Sequence, residues 1–286
     1  MHRELGHTGI RVFPVGLGAM PLSMSGRPGQ ARALSVIRAA LDAGMNFIDT
    51  ANVYCSSDDE IGHNERLIQK ALKSGGMVKD VVVATKGGVD RRQRRVDASP
   101  DFLRESCIKS LRDLKCEAIT LYQLHAPDEK VPIEDSVGEL SRLKDEGKVL
   151  HIGLCNVTVD EFGRARKIAR IESVQNGCNP FSSEDYNDGM IKACEKHGAS
   201  FLPHTVIGGK SLCAAIAQLP LLIELGKKYG TDPYATVVAW HLAKSKRVIP
   251  IPGASRPESA ISSASAASLK LSPKDVRLID ALPLTI

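Results

Sequence analysis

No apolar stretch in this sequence reaches the roughly 20 residues that a membrane span requires. The opening residues, MHRELGHTGIRVF, contain no apolar segment followed by a small-residue cleavage site, so no secretory leader is expected. Cysteine is sparse and unpaired in pattern. Its seven positions, Cys55, Cys107, Cys116, Cys155, Cys178, Cys194 and Cys213, are scattered without a CxxC pair. That excludes a secreted disulfide scaffold and a zinc ribbon. HxH and HExxH are also missing, which leaves Asp49 and His125 with His63 or His151 as a poor metal set. Charge of neither sign dominates: 38 basic residues against 33 acidic give a net +5, which suits an anionic ligand but requires none. The run DRRQRRVD over 90–97 holds four arginines but no interleaved aromatic residue, and reads as a solvated loop rather than a nucleic-acid surface. These absences predict a cytoplasmic protein with no membrane or nucleic-acid partner.

What remains is a regular alternation. A short hairpin is predicted over 3–13, turning at His7, Thr8 and Gly9. Strand-like runs follow at 15–20, 45–49, 81–86, 119–124, 150–155, 173–176, 199–203 and 247–252. Between them lie helical patterns at 29–43, 62–74, 100–114, 133–146, 158–169 and 184–197, then 216–229 and 233–244. Two closing helices are expected at 257–268 and 273–282. Ala33, Val36, Ile37, Ala40 and Leu41 share one face of the first helix, and Gly44 stops it. Ser99 and Pro100 form a cap and a helix start. Eight strands alternating with helices predict one α/β domain over 1–286, a (β/α)8 TIM barrel.

Polar residues close several of the apolar runs: FID ends at Asp49, VVVATK at Lys86 and ITLYQLH at His125, with Tyr54 just beyond Asp49. In a barrel of this kind the C-terminal ends of the strands form one face, where active sites sit. A lysine beside a tyrosine favours the phenolate, an aspartate can keep that lysine charged, and a histidine can orient a carbonyl or relay a proton. The glycine pattern GLGAMP at 16–21 lacks the third glycine of a dinucleotide fingerprint. Phosphate is better accommodated late in the chain, at Gly208-Gly209-Lys210-Ser211 or at Gly253-Ala254-Ser255-Arg256 ahead of a helix starting at Pro257.

The segments GMNFIDTANVY (44–54), GHNERLIQKAL (62–72), VVVATKGG (81–88), SLRDLKCEAITLYQLHAPD (110–128), GKVLHIGLCNV (147–157), VQNGCNPF (174–181) and IPIPGASR (249–256) occur in order. Through them the chain resembles the aldo-keto reductase superfamily from Leu5 to about Leu282. The resemblance implies a barrel closed at the bottom by the N-terminal hairpin, with NADPH extended across the opposite face. It implies an enzyme that reduces an aldehyde or ketone by direct hydride transfer. Tyr54 would donate the proton, tuned by Lys86 and Asp49, and His125 would orient the substrate. Asn156 and Gln175 would bind the nicotinamide carboxamide. Gly18, Ala19, Met20 and Asp49 would line the ring and its ribose. Thr205, Ile207 and Gly208 would lie at the pyrophosphate, and Ser255 and Arg256 at the 2′-phosphate.

The chain departs from the family pattern in three ways. His204 stands where a stacking tyrosine or tryptophan is usual, and its charge near pH 6.5 would make cofactor affinity pH-sensitive. Cys155 replaces the serine before Asn156. Ser262 and Ser263 replace a Glu-Asn pair that clasps adenine. The superfamily also includes potassium-channel β subunits, so a cofactor-sensing, partner-binding protein is the alternative to a reductase. Monomer and homo-oligomer both fit the sequence.

Overall fold

A computed structural model describes residues 2–77 and 79–282, and for Lys210 and Ser211 the backbone only. The chain opens with an antiparallel hairpin of β1 (Arg3–Glu4) and β2 (Arg11–Val12). Then come β3 (Leu17–Gly18), α1 (Gln30–Asp42), β4 (Phe47–Asp49), α2 (His63–Gly75) and β5 (Val82–Gly87). A second hairpin, β6 (Val89–Asp90) and β7 (Arg95–Val96), precedes α3 (Pro100–Leu114). The alternation continues through β8 (Ile119–Leu124), α4 (Ile133–Asp145), β9 (Val149–Cys155), α5 (Val159–Ala165), β10 (Ile171–Gln175), α6 (Met190–His197) and β11 (Ser200–Phe201). Helices α7 (Gly209–Ile216), α8 (Pro220–Tyr229), α9 (Pro233–Lys244), α10 (Pro257–Ser265) and α11 (Pro273–Asp280) complete the described chain.

Strands β3, β4, β5, β8, β9, β10 and β11 lie side by side in that order, all parallel, in a curled sheet. The eighth member is the extended segment 247–252, which closes the ring. Ile249 and Ile251 donate from their backbone N–H to Phe201 and Pro203, while Gly16 and Gly18 donate to the carbonyls of Pro250 and Pro252. The N–H and C=O of one strand residue point to the same side. Pro250 and Pro252 therefore accept from the β3 side but have nothing to give back. The predicted eighth strand is present, exchanging hydrogen bonds with β11 in both directions while its two prolines only accept from β3, and the architecture is the (β/α)8 barrel.

Along each strand, side chains alternate between the barrel interior and the helical layer. The lower interior is apolar. Phe47, Ala84, Leu121, Leu202, Ile249 and Ile251 pack together there with Leu5 and Val12 of the N-terminal hairpin, which plugs that end. Gly6 N–H donating to Ser200 Oγ and His7 N–H donating to Glu172 Oε2 tie the plug down. One step further along the same strands the interior turns polar, with Asp49, Lys86, Gln123 and Gln175 all buried. Two larger apolar clusters hold helices to the outside of the sheet, one around Leu140, Ile152 and Phe162, the other around Ile37, Ile48 and Val238.

Several elements differ from expectation for local reasons. The run 90–97, read as a solvated loop, instead forms most of the β6–β7 hairpin, turned through Arg94 at φ 51°. The helix expected over 216–229 begins only at Pro220, which opens α8, and a further helix, α7, precedes it over Gly209–Ile216, where none was expected. The helix expected over 184–197 begins only at Met190, after a single 3-10 turn at Glu184–Tyr186. The one expected over 158–169 ends at Ala165, though it starts where Thr158 and Glu161 make a reciprocal capping box. Pro100 does open α3, but Ser99 does not cap it; the hydroxyl donates to Asp97 Oδ1 at 2.6 Å. Among the described residues no helix is long and apolar enough to cross a membrane.

Candidate active site

The polar layer meets the open end of the barrel in a hydrogen-bonded cluster. Lys86, at the end of β5, is enclosed, and its ammonium donates to Asp49 Oδ2 at 2.6 Å, to the carbonyl of Thr50 at 2.9 Å and to the Tyr54 hydroxyl at 3.1 Å. The second oxygen of Asp49 accepts from Gln175 Nε2 at 2.7 Å and Gln123 Nε2 at 3.2 Å. All three ammonium protons and both carboxylate oxygens are thus engaged, which a buried ion pair needs in order to offset desolvation. Gly153 lies opposite Gln123. A Cβ there would come within 2.8 Å of the Gln123 side chain and 2.3 Å of Ser173 Oγ, so the glycine leaves the space the network fills.

Burial alone would push the Lys86 pKa down, but the Asp49 carboxylate, with smaller contributions from Tyr54 and Cys155, outweighs it, and the ammonium stays charged. For Tyr54 the balance runs against the sequence expectation. Desolvation raises its pKa by more than Lys86 lowers it, so the phenol of the free protein is protonated at neutral pH. Lys86 moderates the rise instead of reversing it.

His125 follows β8 directly, its backbone N–H bonded to the carbonyl of Gly87. Its ring meets that of Tyr54 edge-on, with centroids 5.9 Å apart. Nδ1 is buried, and neither ring nitrogen has a hydrogen-bond partner among the described residues. Burial, with Lys86 and His204 nearby, lowers its pKa to about 3, so the imidazole is neutral. A neutral ring with unpartnered nitrogens beside a protonated phenol is equipped to hold a carbonyl oxygen.

The other candidate residues lie along the same rim. Gly18 pairs with Asp49 across β3 and β4, and Ala19 N–H donates to the Asp49 carbonyl. Met20 is exposed beside them. Cys155 ends β9 and is fully buried; desolvation raises its thiol pKa despite the opposing field of Lys86, so it is an inert wall residue. Asn156 follows it and donates from Nδ2 to the His125 carbonyl at 2.9 Å. Gln175 ends β10, with its amide nitrogen committed to Asp49 and Gln123. Beyond β11, His204 and Thr205 reach the rim, Ile207 packs inward, and Gly208 leads into α7. Ser255 and Arg256 are exposed at the start of α10. The side chains of Lys210 and Ser211 lie outside the described residues.

His204 also differs from its sequence reading. Burial, with Lys86 nearby, lowers its pKa to about 4, so the ring is neutral near pH 6.5, where the sequence reading expects its charge to change. The alternative metal set is dispersed. His63 pairs with Ser23 Oγ at 2.8 Å, and His151 sits near the start of β9, at the opposite end from His125. Gln123 was not among the sequence candidates. Its signal was strand alternation: two residues before His125, it shares the interior face.

The parallel barrel thus gathers Asp49, Lys86 and His125, at or just past the ends of β4, β5 and β8, with Tyr54 from the loop after β4. Residues 14–283 match the aldo/keto reductase family model, and the chain belongs to that family. It is 32% identical over 313 residues to probable aldo-keto reductase 1 of Glycine max, covering 98% of this chain and 88% of the relative. Its fold superposes on the glycerol dehydrogenase AKR11B4 of Gluconobacter oxydans with a TM-score of 0.85, at 26% identity, covering 98% of this chain and 94% of that one. A second barrel, an aldo/keto reductase from Klebsiella pneumoniae solved with NADP and acetate, matches with a TM-score of 0.83 at 22% identity, over 98% and 94% of the two chains.

Proposed function

We propose that this protein reduces an aldehyde or ketone to the alcohol with NADPH, Tyr54 donating the proton. The observation that carries the reading is the Lys86 ammonium, held 2.6 Å from Asp49 and 3.1 Å from the Tyr54 hydroxyl inside the barrel. A substrate carbonyl oxygen placed between Tyr54 and His125 receives a hydrogen bond from each. NADPH supplies the hydride when bound. As negative charge develops on the oxygen, the Tyr54 proton moves to it, and the resulting phenolate is stabilised by the ammonium already in contact. Asp49, anchored by Gln123 and Gln175, keeps that ammonium in place.

The residues along the rim suit a dinucleotide. Asn156 retains acceptor capacity at Oδ1, α7 opens on Gly208 and Gly209 with no side chain at its cap, and Arg256 stands exposed at the start of α10. An exposed arginine and serine at that helix start favour a 2′-phosphate and hence NADPH over NADH. The NADP-bound Klebsiella pneumoniae barrel has the same fold. All seven cysteines are free, which fits a reducing compartment, and we place the protein, as one barrel domain, in the cytoplasm.

The test is NADPH consumption across a panel of aldehydes and ketones, with NADH in parallel. Tyr54→Phe should lower turnover by about 10²–10⁴-fold while leaving NADPH affinity within about twofold. Unchanged turnover would overturn the proton-donor assignment. Tight NADPH binding without turnover on any carbonyl would favour the cofactor-sensing alternative.

A further inference from the structure

His204 uses both of its ring nitrogens. Nε2 lies 3.1 Å from Asn156 Oδ1, and Nδ1 lies 2.7 Å from Thr205 Oγ1. At its other end, Asn156 donates from Nδ2 to the carbonyl of His125 at 2.9 Å. The proton positions follow from this. A backbone carbonyl only accepts, so the amide nitrogen of Asn156 must face His125 and its oxygen must face the imidazole. That oxygen also only accepts, so His204 carries its hydrogen on Nε2. Nδ1 is then a lone pair, and the Thr205 hydroxyl donates to it. Donation runs one way, from Thr205 through His204 and Asn156 to the His125 carbonyl.

The backbone is shaped for this chain. Asn156 and Thr205 adopt left-handed conformations, at φ 56° and 55°. For a β-branched threonine that is costly, and such geometry persists only where surrounding contacts hold it. Gly177, bridged to His204 through the backbone, gives room for the ring; a Cβ there would lie 3.1 Å from Cε1. A residue acting only as an apolar plate needs neither hydrogen bond.

We propose that His204 is a positioning residue whose Nε2–H fixes which end of the Asn156 amide faces the cofactor, presenting Oδ1 as an acceptor for the nicotinamide carboxamide N–H. The proposal rests on the reading of Asn156 as a carboxamide contact. An amide oxygen has two lone pairs, so His204 occupies one and leaves the other. A phenylalanine in its place can stack but leaves Asn156 held at one end only.

Two measurements test this. In the cofactor-free protein, imidazole 15N NMR should show His204 as the Nε2–H tautomer, and Asn156→Ala should convert it to a tautomer mixture. A Nδ1–H tautomer in the wild type would overturn the proposal. NADPH binding by fluorescence should then be weakened about 3–10-fold in His204→Phe. His204→Gln, which keeps a donor at the same reach, should stay within about twofold of wild type. With the 3-acetylpyridine analogue of NADP, which has a methyl group where the carboxamide nitrogen stands, wild type and His204→Phe should bind alike. Tighter binding by His204→Phe with loss in His204→Gln would show that the ring acts as a stacking surface and defeat the proposal. If Asn156→Ala still discriminates NADP from the analogue as wild type does, the Asn156 contact itself is wrong and the proposal falls with it. The NMR result would still report separately on the hydrogen-bond chain.

Discussion

Asp49, Tyr54, Lys86 and His125 were readable as a group because each stands at or just beyond the end of a strand, where an apolar run gives way to a polar side chain. Gln123 escaped that rule because it lies inside its run, and only the inward-facing alternation reveals it. The direction of the Tyr54 shift escaped because it depends on how deeply the hydroxyl sits, which is settled by neighbours far apart in sequence. The Lys86–Asp49 pair makes a separable prediction. Lys86→Met leaves a buried carboxylate without its cation, so it should cost about 3–5 kcal/mol in urea unfolding and abolish most turnover. The double variant Asp49→Asn/Lys86→Met removes both charges and should recover most of the stability but none of the activity. Recovered activity would show that the ammonium is not needed by Tyr54.

At the scale of elements, α2 is fastened to β5 by a buried carboxylic acid. Glu65, in the first turn of α2, accepts from Thr85 Oγ1 at 2.6 Å and also lies against the Ser110 hydroxyl. Desolvation raises its pKa to about 7, with hydrogen bonds from Thr85 and Ser110 as smaller opposing effects. Below the unfolded value near 4.5 the group is protonated in both states and burial carries no charge penalty. Between there and about 7 the unfolded chain releases the proton first, so stability falls as pH rises, and above 7 the loss is complete. Glu65→Gln should therefore be near neutral at pH 4 and stabilising by roughly 1–3 kcal/mol at pH 8, measured by denaturant unfolding at both values. Equal effects at the two pH values would contradict a protonated native Glu65. Elements with strong periodicity, such as α1 and α3, were legible from the chain. The β6–β7 hairpin was not, because two-residue strands of mixed charge carry no periodic signal. Nor was α7, a helix of eight residues that opens on two glycines and so lacks a sequence cap signal.

Over the whole molecule, the barrel interior is divided along its axis. The hairpin plug and the apolar layer hold the lower end, and the ionic layer holds the upper. This division was legible only in part, since the sequence showed eight strand-like runs but not how the last meets the first. That meeting is where the ring is expected to open first. Seven of the eight joints in the ring exchange hydrogen bonds between parallel strands, or are sealed by donors from Ile249 and Ile251, whereas the joint with β3 receives donors and returns none from Pro250 or Pro252. Native-state hydrogen exchange should find the amides of Gly16 and Gly18 opening at a lower free energy than those of Leu121 and Ile152 in the middle of the sheet. Equal protection would mean the ring opens only as a unit. A cylinder with such a joint can breathe at one place without losing its shape elsewhere. Here that place runs up to Gly18 and Ala19, which we propose line the cofactor, so the part of the wall expected to part first is the one along which that long, flexible ligand would be threaded and withdrawn.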